Sequence, residues 1–455
     1  MLRRTTLLLG SLLLAAAGAA EAQAGLSVPY TMDTLPNGLR VIIHEDHSVP
    51  TVVVNVWYHV GSGSEKPGRT GFAHLFEHLM FMGSANAPYP QFDQLLESAG
   101  ANNNGSTTED RTNYYEEGPA TALPLMLWLE ADRMGWMLPT MDVAKVDLQR
   151  DVVKNERRQR VDNQPYGQSF ETILGMLYPS DHPYSWPVIG SMTDLSAASL
   201  EDVKEFFRTW YAPNNAVIVG AGDVKADEVK HLARQYFGEI PRGPAIERPT
   251  ASSFSLAHDT SGVLEDRVQL ARLNYAWPTV PLNHPDDAAL DVAAYLLTGA
   301  RNSRITQKLV YQQELASNVN AFQASHRLSG DFRVIATARP GIALPPLQQV
   351  IDQELRTLAA EGPTARELEQ AKNSIESSFL GNLEGVGGKA DQLNAYYFQT
   401  SNPDGFQTDL DRYRGVTAAD VQRVVRKYLL APKVILSVVP LGKPDLAAKP
   451  TGVTP

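Results

Sequence analysis

The sequence repeats one phrase. "SLEDVKEFFRTWYAPNNAVIVGAGDV" (199–224) and "TAADVQRVVRKYLLAPKVILSVVPLG" (417–442) share a plan of helix, turn and apolar strand. Asp420-Val421 and Arg426 repeat the spacing of Asp202-Val203 and Arg208, and Tyr428 with Ala431-Pro432 answers Tyr211 with Ala212-Pro213, within one or two residues of register. A period of roughly 200 residues is far longer than a solenoid unit, so it predicts two α/β domains of similar plan duplicated in one chain. Chance likeness between two helix–strand units is the alternative. The expected seam is "PRGPAIERPTASSFS" (241–255), rich in Pro, Ser and Thr and without periodicity. It gives domains over 25–245 and 246–455.

The chain has 455 residues, 43% of them apolar and 20% charged, enough for sizeable cores in two domains. The first 24 residues read separately: Arg3 and Arg4, an apolar run from Leu7 to Ala20, then Ala22-Gln23-Ala24. That order predicts a secretory signal cleaved after Ala24, and the run is too short to span a bilayer comfortably. No later segment reads as transmembrane, and there is no cysteine to carry a lipid or a disulfide. The expectation is an exported, periplasmic protein with no stable membrane insertion after cleavage. A net charge of −11 argues against a nucleic-acid binder. The acidity suits basic peptides, though a solvated acidic surface explains it more simply.

"LPNGLRVIIHED" places an Asn37-Gly38 turn before a strand, and "TVVVNVWYHVGSGSE" supplies a second. Helical segments follow near 91–99, 120–134 and 142–160.

Between them lies "GFAHLFEHLMFMG" (71–83), with two histidines and a glutamate in an apolar run where unpaired polar groups are costly. On a helix, His74 and His78 project from one face and can converge on one ion. Glu77 is close enough to reach a water on that ion without being a ligand, and Gly83 is the expected end of the helix. HxxEH is the inverted zinc-peptidase signature. The competing interpretation is a pair of core histidines bonded to backbone carbonyls. The second half has no counterpart. A third ligand is sought in "VDLQRDVVKNERRQR", where Leu148, Val152 and Glu156 fall at four-residue steps, putting a carboxylate on an apolar stripe. There it is paired, protonated or metal-bound, and a salt bridge to Arg160 is the simpler possibility.

These residues resemble the pitrilysin/insulinase family of zinc peptidases, in which HxxEH is followed about 75–80 residues later by a ligand glutamate; here 77 residues lie between His78 and Glu156. "LPNGLRVII", "GSGSE", "NNNGSTTEDRTNYYEEGP" (102–119) and "NSRITQKL" extend the resemblance over nearly the whole chain after residue 24. The nearest branch is that of short bacterial members similar to mitochondrial processing peptidase subunits. The resemblance implies an α+β fold: two homologous domains, each a mostly antiparallel sheet packed with helices, facing across a chamber. It implies Zn2+ on His74, His78 and Glu156, with Glu77 as general base. It also implies peptide substrates that add as a β-strand to an edge near the metal, with Asn104, Gly105, Thr112 and Tyr114 as contacts.

Two departures from the family pattern stand out. Gln149 occupies a position commonly glutamate in the family, where an amide can neither act as a base nor carry charge and can only hydrogen-bond to groups around the ligands. An arginine and, seven residues on, a tyrosine that help stabilise the oxyanion in the family are replaced by Val310 and Ser317. The resemblance therefore suggests the zinc-bearing subunit of a heterodimer whose homologous partner carries the Arg/Tyr pair. A self-sufficient homodimer using Arg304 or Tyr311, and a non-catalytic scaffold, are the alternatives.

Overall fold

The computed structural model describes residues 25–449, so the signal expected over 1–24 lies outside the described residues. The first half contributes β1 (Thr31–Thr34), β2 (Arg40–Glu45), β3 (Thr51–Tyr58), β4 (Asn102–Thr107), β5 (Thr112–Pro119) and β6 (Ala216–Gly222). The second contributes β7 (Thr260–Asp266), β8 (Arg272–Thr279), β9 (Ala316–Ser325), β10 (Gly330–Ala338) and β11 (Val434–Pro440). The sheet orders are β1-β2-β6-β3-β5-β4 and β7-β11-β8-β10-β9.

Strand for strand the sheets match. The last strand of each half inserts parallel to the first, at β2/β6 and β7/β11, and every further pairing is antiparallel. β1 is an extra edge strand in the first sheet. The repeated phrase is the helix that feeds this inserted strand: Leu200–Trp210 leads to β6, and Ala418–Val424 leads to β11. Both helices open with the same capping box, Ser199 with Asp202 and Thr417 with Asp420. The repeated aspartate is thus an N-terminal stop signal for the preceding loop.

β3 and β6 are buried on both faces, which explains their unbroken apolar runs. One face meets the first half's own helices. The other is covered by helix Val386–Thr400 of the second half, through Ala390, Leu393 and Tyr397 against Val53, Val217 and Val219. The first half returns a helix: Ile173, Leu174 and Leu177 of Ser169–Leu177 pack on Val434, Leu436 and Val438 of β11. Each such side chain contributes about 1.5–3 kcal/mol on burial. Asn394 donates to Asn55 O at 3.0 Å, and Lys389 pairs with Asp46 at 2.6 Å, pinning the exchanged helix. A cut at 245/246 would therefore remove one covering helix from each sheet.

Candidate metal centre

The motif helix is short, Phe72–Leu79. Phe72, Ala73, Leu75, Phe76 and Leu79 bury its core face and leave His74, Glu77 and His78 on the half-buried flank. Its start is fixed by Glu65, whose carboxylate accepts from Gly71 N at 3.0 Å and Ala73 N at 2.7 Å. Burial pushes the Glu65 carboxyl up to about 8, against the pull of those backbone donors. The helix stops at Leu79, ahead of the expected Gly83, because the chain already turns at Met80. Gly83 instead sits in the next turn at φ +80, where a Cβ would lie 2.2 Å from Tyr89 N.

The imidazole rings stand 4.9 Å apart at 80°. Glu156 Oε2 lies 3.2 Å from His78 Nε2 and 3.7 Å from His74 Nε2. Ligands bound at about 2.0–2.1 Å in a tetrahedral site are separated by roughly 3.3 Å, close to the separation of Glu156 Oε2 from each imidazole nitrogen. It is the one group of metal-ligating side chains among the described residues, with its ligand atoms within 4.8 Å of one another. Burial holds the His74 pKa down to about 4, keeping the ring in the neutral form that binds metal. Glu156 is shifted the other way from a buried acid: the His78 hydrogen bond lowers its pKa.

Glu156 comes from helix Val143–Arg157, which continues as a π turn over Arg158–Asp162. The salt bridge to Arg160 is also present, at 2.7 Å, but it uses the other oxygen, Oε1, and the Arg160 side chain is 75% exposed. The two interpretations of Glu156 are therefore compatible. The stripe expected beneath it is corrected: Leu148 and Val152 are exposed, and the helix buries Val146, Val153 and Arg157. Four-residue spacing identifies a stripe but not which stripe faces inward. Arg157 anchors that buried side by bonds to Gly190 O and the Glu171 carboxylate.

Glu77 Oε2 accepts from Thr107 Oγ1 at 2.6 Å, and burial raises its pKa. Thr107 ends β4, the free edge of the first sheet. Gly105 allows this approach, since a Cβ there would lie 3.2 Å from Glu77 Cγ. Asn104 is exposed on the same edge, its Oδ1 accepting from Gly105 N. Thr112 and Tyr114 need correction as substrate contacts. Both are fully buried; Thr112 Oγ1 donates to Val60 O and Tyr114 OH to Phe76 O. Strand alternation turns them into the core, where they brace the hairpin against the motif helix. Gln149 is corrected too: its Nε2 bonds to Met82 Sδ at 2.8 Å, with no hydrogen bond to the metal ligands. In the second half, Ser317 Oγ donates to Thr337 O, and Arg304 is locked by Glu367 at 2.9 Å. Tyr311 is exposed, with Arg301 over its ring at 4.7 Å. Sequence pattern alone does not single out Glu65 or Thr107, which the fold brings to the motif helix. "GSGSE" was the one local signal for the former; the latter had none.

Residues 40–179 match the profile of the insulinase family, peptidase family M16, and residues 197–375 match that of the M16 inactive domain. A zinc protease of Helicobacter pylori, PqqE, is 30% identical over 426 residues, covering 92% of this chain and 95% of that protein. The chain belongs to the M16 peptidase family. Within M16, it is also 26% identical to a probable mitochondrial-processing peptidase β subunit of Arabidopsis thaliana, covering 91% of this chain and 79% of that one. The crystal structure of a protease from Helicobacter pylori superposes with a TM-score of 0.84 at 28% identity, covering 90% of this chain and all of the other. An M16 inactive-domain protein of Pseudomonas fluorescens, at 21% identity and TM-score 0.81, shows the same fold. The candidate metal cluster lies within the first match, and the second match carries the inactive-domain description.

Proposed function

We propose that this chain is the zinc-bearing subunit of an exported endopeptidase that hydrolyses peptides or unfolded polypeptides in the periplasm. The observation that carries this is the convergence of His74, His78 and Glu156 beside a glutamate held by its own hydrogen bond. Zinc on these ligands would acidify water and polarise a peptide carbonyl. Thr107 fixes Glu77 Oε2 and leaves Oε1 to take the proton from water and return it to the leaving nitrogen. The open edge of β4, with Asn104 and Gly105, offers backbone pairing to an extended peptide in a sequence-tolerant way.

A homologous partner would supply the Arg/Tyr pair. Val310 and Ser317 support this, since neither presents a long polar donor. A self-sufficient homodimer loses Arg304 as a donor because Glu367 holds it, and keeps Tyr311. The scaffold alternative is disfavoured by the complete ligand set. Zinc content and peptide cleavage of the chain, alone and mixed with a homologue lacking HxxEH, test the proposal. Full activity of the chain alone overturns the heterodimer, and absence of zinc overturns the enzyme.

A further inference from the structure

The two halves touch at equivalent places. The turn 108–111 joins β4 to β5, and the turn 326–329 joins β9 to β10, so each is the tip of its half's edge hairpin. The tips dock on each other through Asp110: Oδ1 accepts from Tyr184 OH at 2.6 Å, and Oδ2 accepts from Arg327 N at 2.8 Å. Tyr184 is 1% exposed, and its hydroxyl also accepts from Leu328 N at 3.1 Å. His326 Nδ1 lies 3.4 Å from Glu109 Oε2 across the same contact. On the other side, Ser62 N and Gly63 N donate to Thr108 O and Glu109 O, while Trp186 Nε1 donates to Ser62 O. Gly61 has no space for a side chain, because a Cβ would lie 2.3 Å from Thr108 O.

The tip is therefore held from both sides: by Ser62 and Gly63 of the first half, beginning one residue from Thr107, and by the contacts of Asp110, three residues from it. A buried tyrosine hydroxyl that both donates and accepts across two hairpins is stringent in geometry. We infer that Tyr184 and Asp110 are positioning residues: through the docked tips, the metal-free second half sets the place of β4, and with it the Thr107–Glu77 contact. This rests on the peptidase function proposed above and gives the second half a part in it. β4 has β5 as its one strand neighbour, so the place of its end depends on what holds the turn together with the bonds of Ser106 to Asn113 and Arg111.

The test compares Tyr184→Phe, which keeps the ring packed on Tyr178, His182 and His326, with Tyr166→Phe. Tyr166 OH also bridges the halves, donating to Leu270 O at 2.9 Å, but lies away from the hairpin tips. In Tyr184→Phe, zinc content is expected to stay unchanged, amide exchange over residues 102–112 to accelerate about tenfold, and kcat to fall about tenfold. Tyr166→Phe should leave exchange and kcat in place. Thr107→Val alone should lower kcat comparably, and the double variant Thr107→Val/Tyr184→Phe should be no slower than Thr107→Val, since both act through one contact. Asp110→Asn should repeat the exchange result by a second route. Unaltered exchange over 102–112 in Tyr184→Phe and Asp110→Asn, or equal effects of Tyr166→Phe, overturns the inference; multiplicative losses in the double variant do the same. If the unsubstituted protein hydrolyses nothing, the proposed function fails, and the exchange comparison still decides the inference.

Discussion

Where the first half sets the motif helix after β3, the second sets helix Asp287–Ala294 after β8, and the likeness extends to individual contacts. His74 and His78 stand four residues apart on one helix; Asp287 and Asp291 stand four apart on the other. Thr107 at the end of β4 donates to Glu77, and Ser325 at the end of β9 donates to Asp287. The difference lies in what each acidic or imidazole group is left to do. Asp287 pairs with Arg412 at 2.7 Å and Asp291 accepts from Tyr413 OH at 2.8 Å, so both carboxylates are used within the fold. In the first half His74 and His78 instead face one another and a single carboxylate oxygen of Glu156, the arrangement of a candidate metal site. One scaffold thus carries structural polar pairs in one copy and a ligand set in the other, decided by a few side chains.

The contrast breaks most sharply at Glu77. Glu77→Gln should lower turnover by about 10²–10⁴-fold with zinc retained, whereas Asp287→Asn should leave turnover near its original value; single-turnover kinetics with zinc analysis checks both. Metal removal comes next. At a zinc concentration about 100-fold above Kd, bound metal stabilises by about 2.7 kcal/mol. Chelation should lower the melting temperature of the parent protein, and the shift should vanish in Glu156→Ala, as scanning calorimetry would show.

A smaller effect belongs to the second half. Burial, with Asp287 beside it, pushes the Asp291 pKa up to about 7. A carboxyl pKa raised above its unfolded value means that the folded state binds the extra proton, so this contribution is full near pH 4 and is lost as pH rises through 7. Asp291→Asn should therefore gain stability relative to the parent by about 1.4 kcal/mol for each pH unit as pH rises from 4 towards 7. Denaturant titrations at several pH values measure it, and a constant difference would remove Asp291 as the titrating group. Smallest is the pair of hydroxyls: Thr107→Val should cost about tenfold in kcat, and Ser325→Ala about 1 kcal/mol of stability with kcat preserved.

The duplication was legible because helix-strand phrases and capping signals are local, and Asp202 and Asp420 kept theirs. The histidine pair was legible for the same reason: four residues on a helix fix a distance. Four-residue spacing singles out Glu156 and the resemblance agrees, but the apolar stripe argued for it does not hold, since Leu148 and Val152 face outward. Thr112 and Tyr114 were misplaced because a strand's two faces are chemically similar when both are covered.

The sequence alone determined the elements, their repetition and the imidazole pair, all properties of neighbours along the chain. Only tertiary structure decided which helix covers which sheet, which threonine reaches Glu77 and where the two hairpin tips meet. Those contacts join residues tens to hundreds of positions apart, and burial makes such side chains interchangeable in pattern while geometry makes them specific.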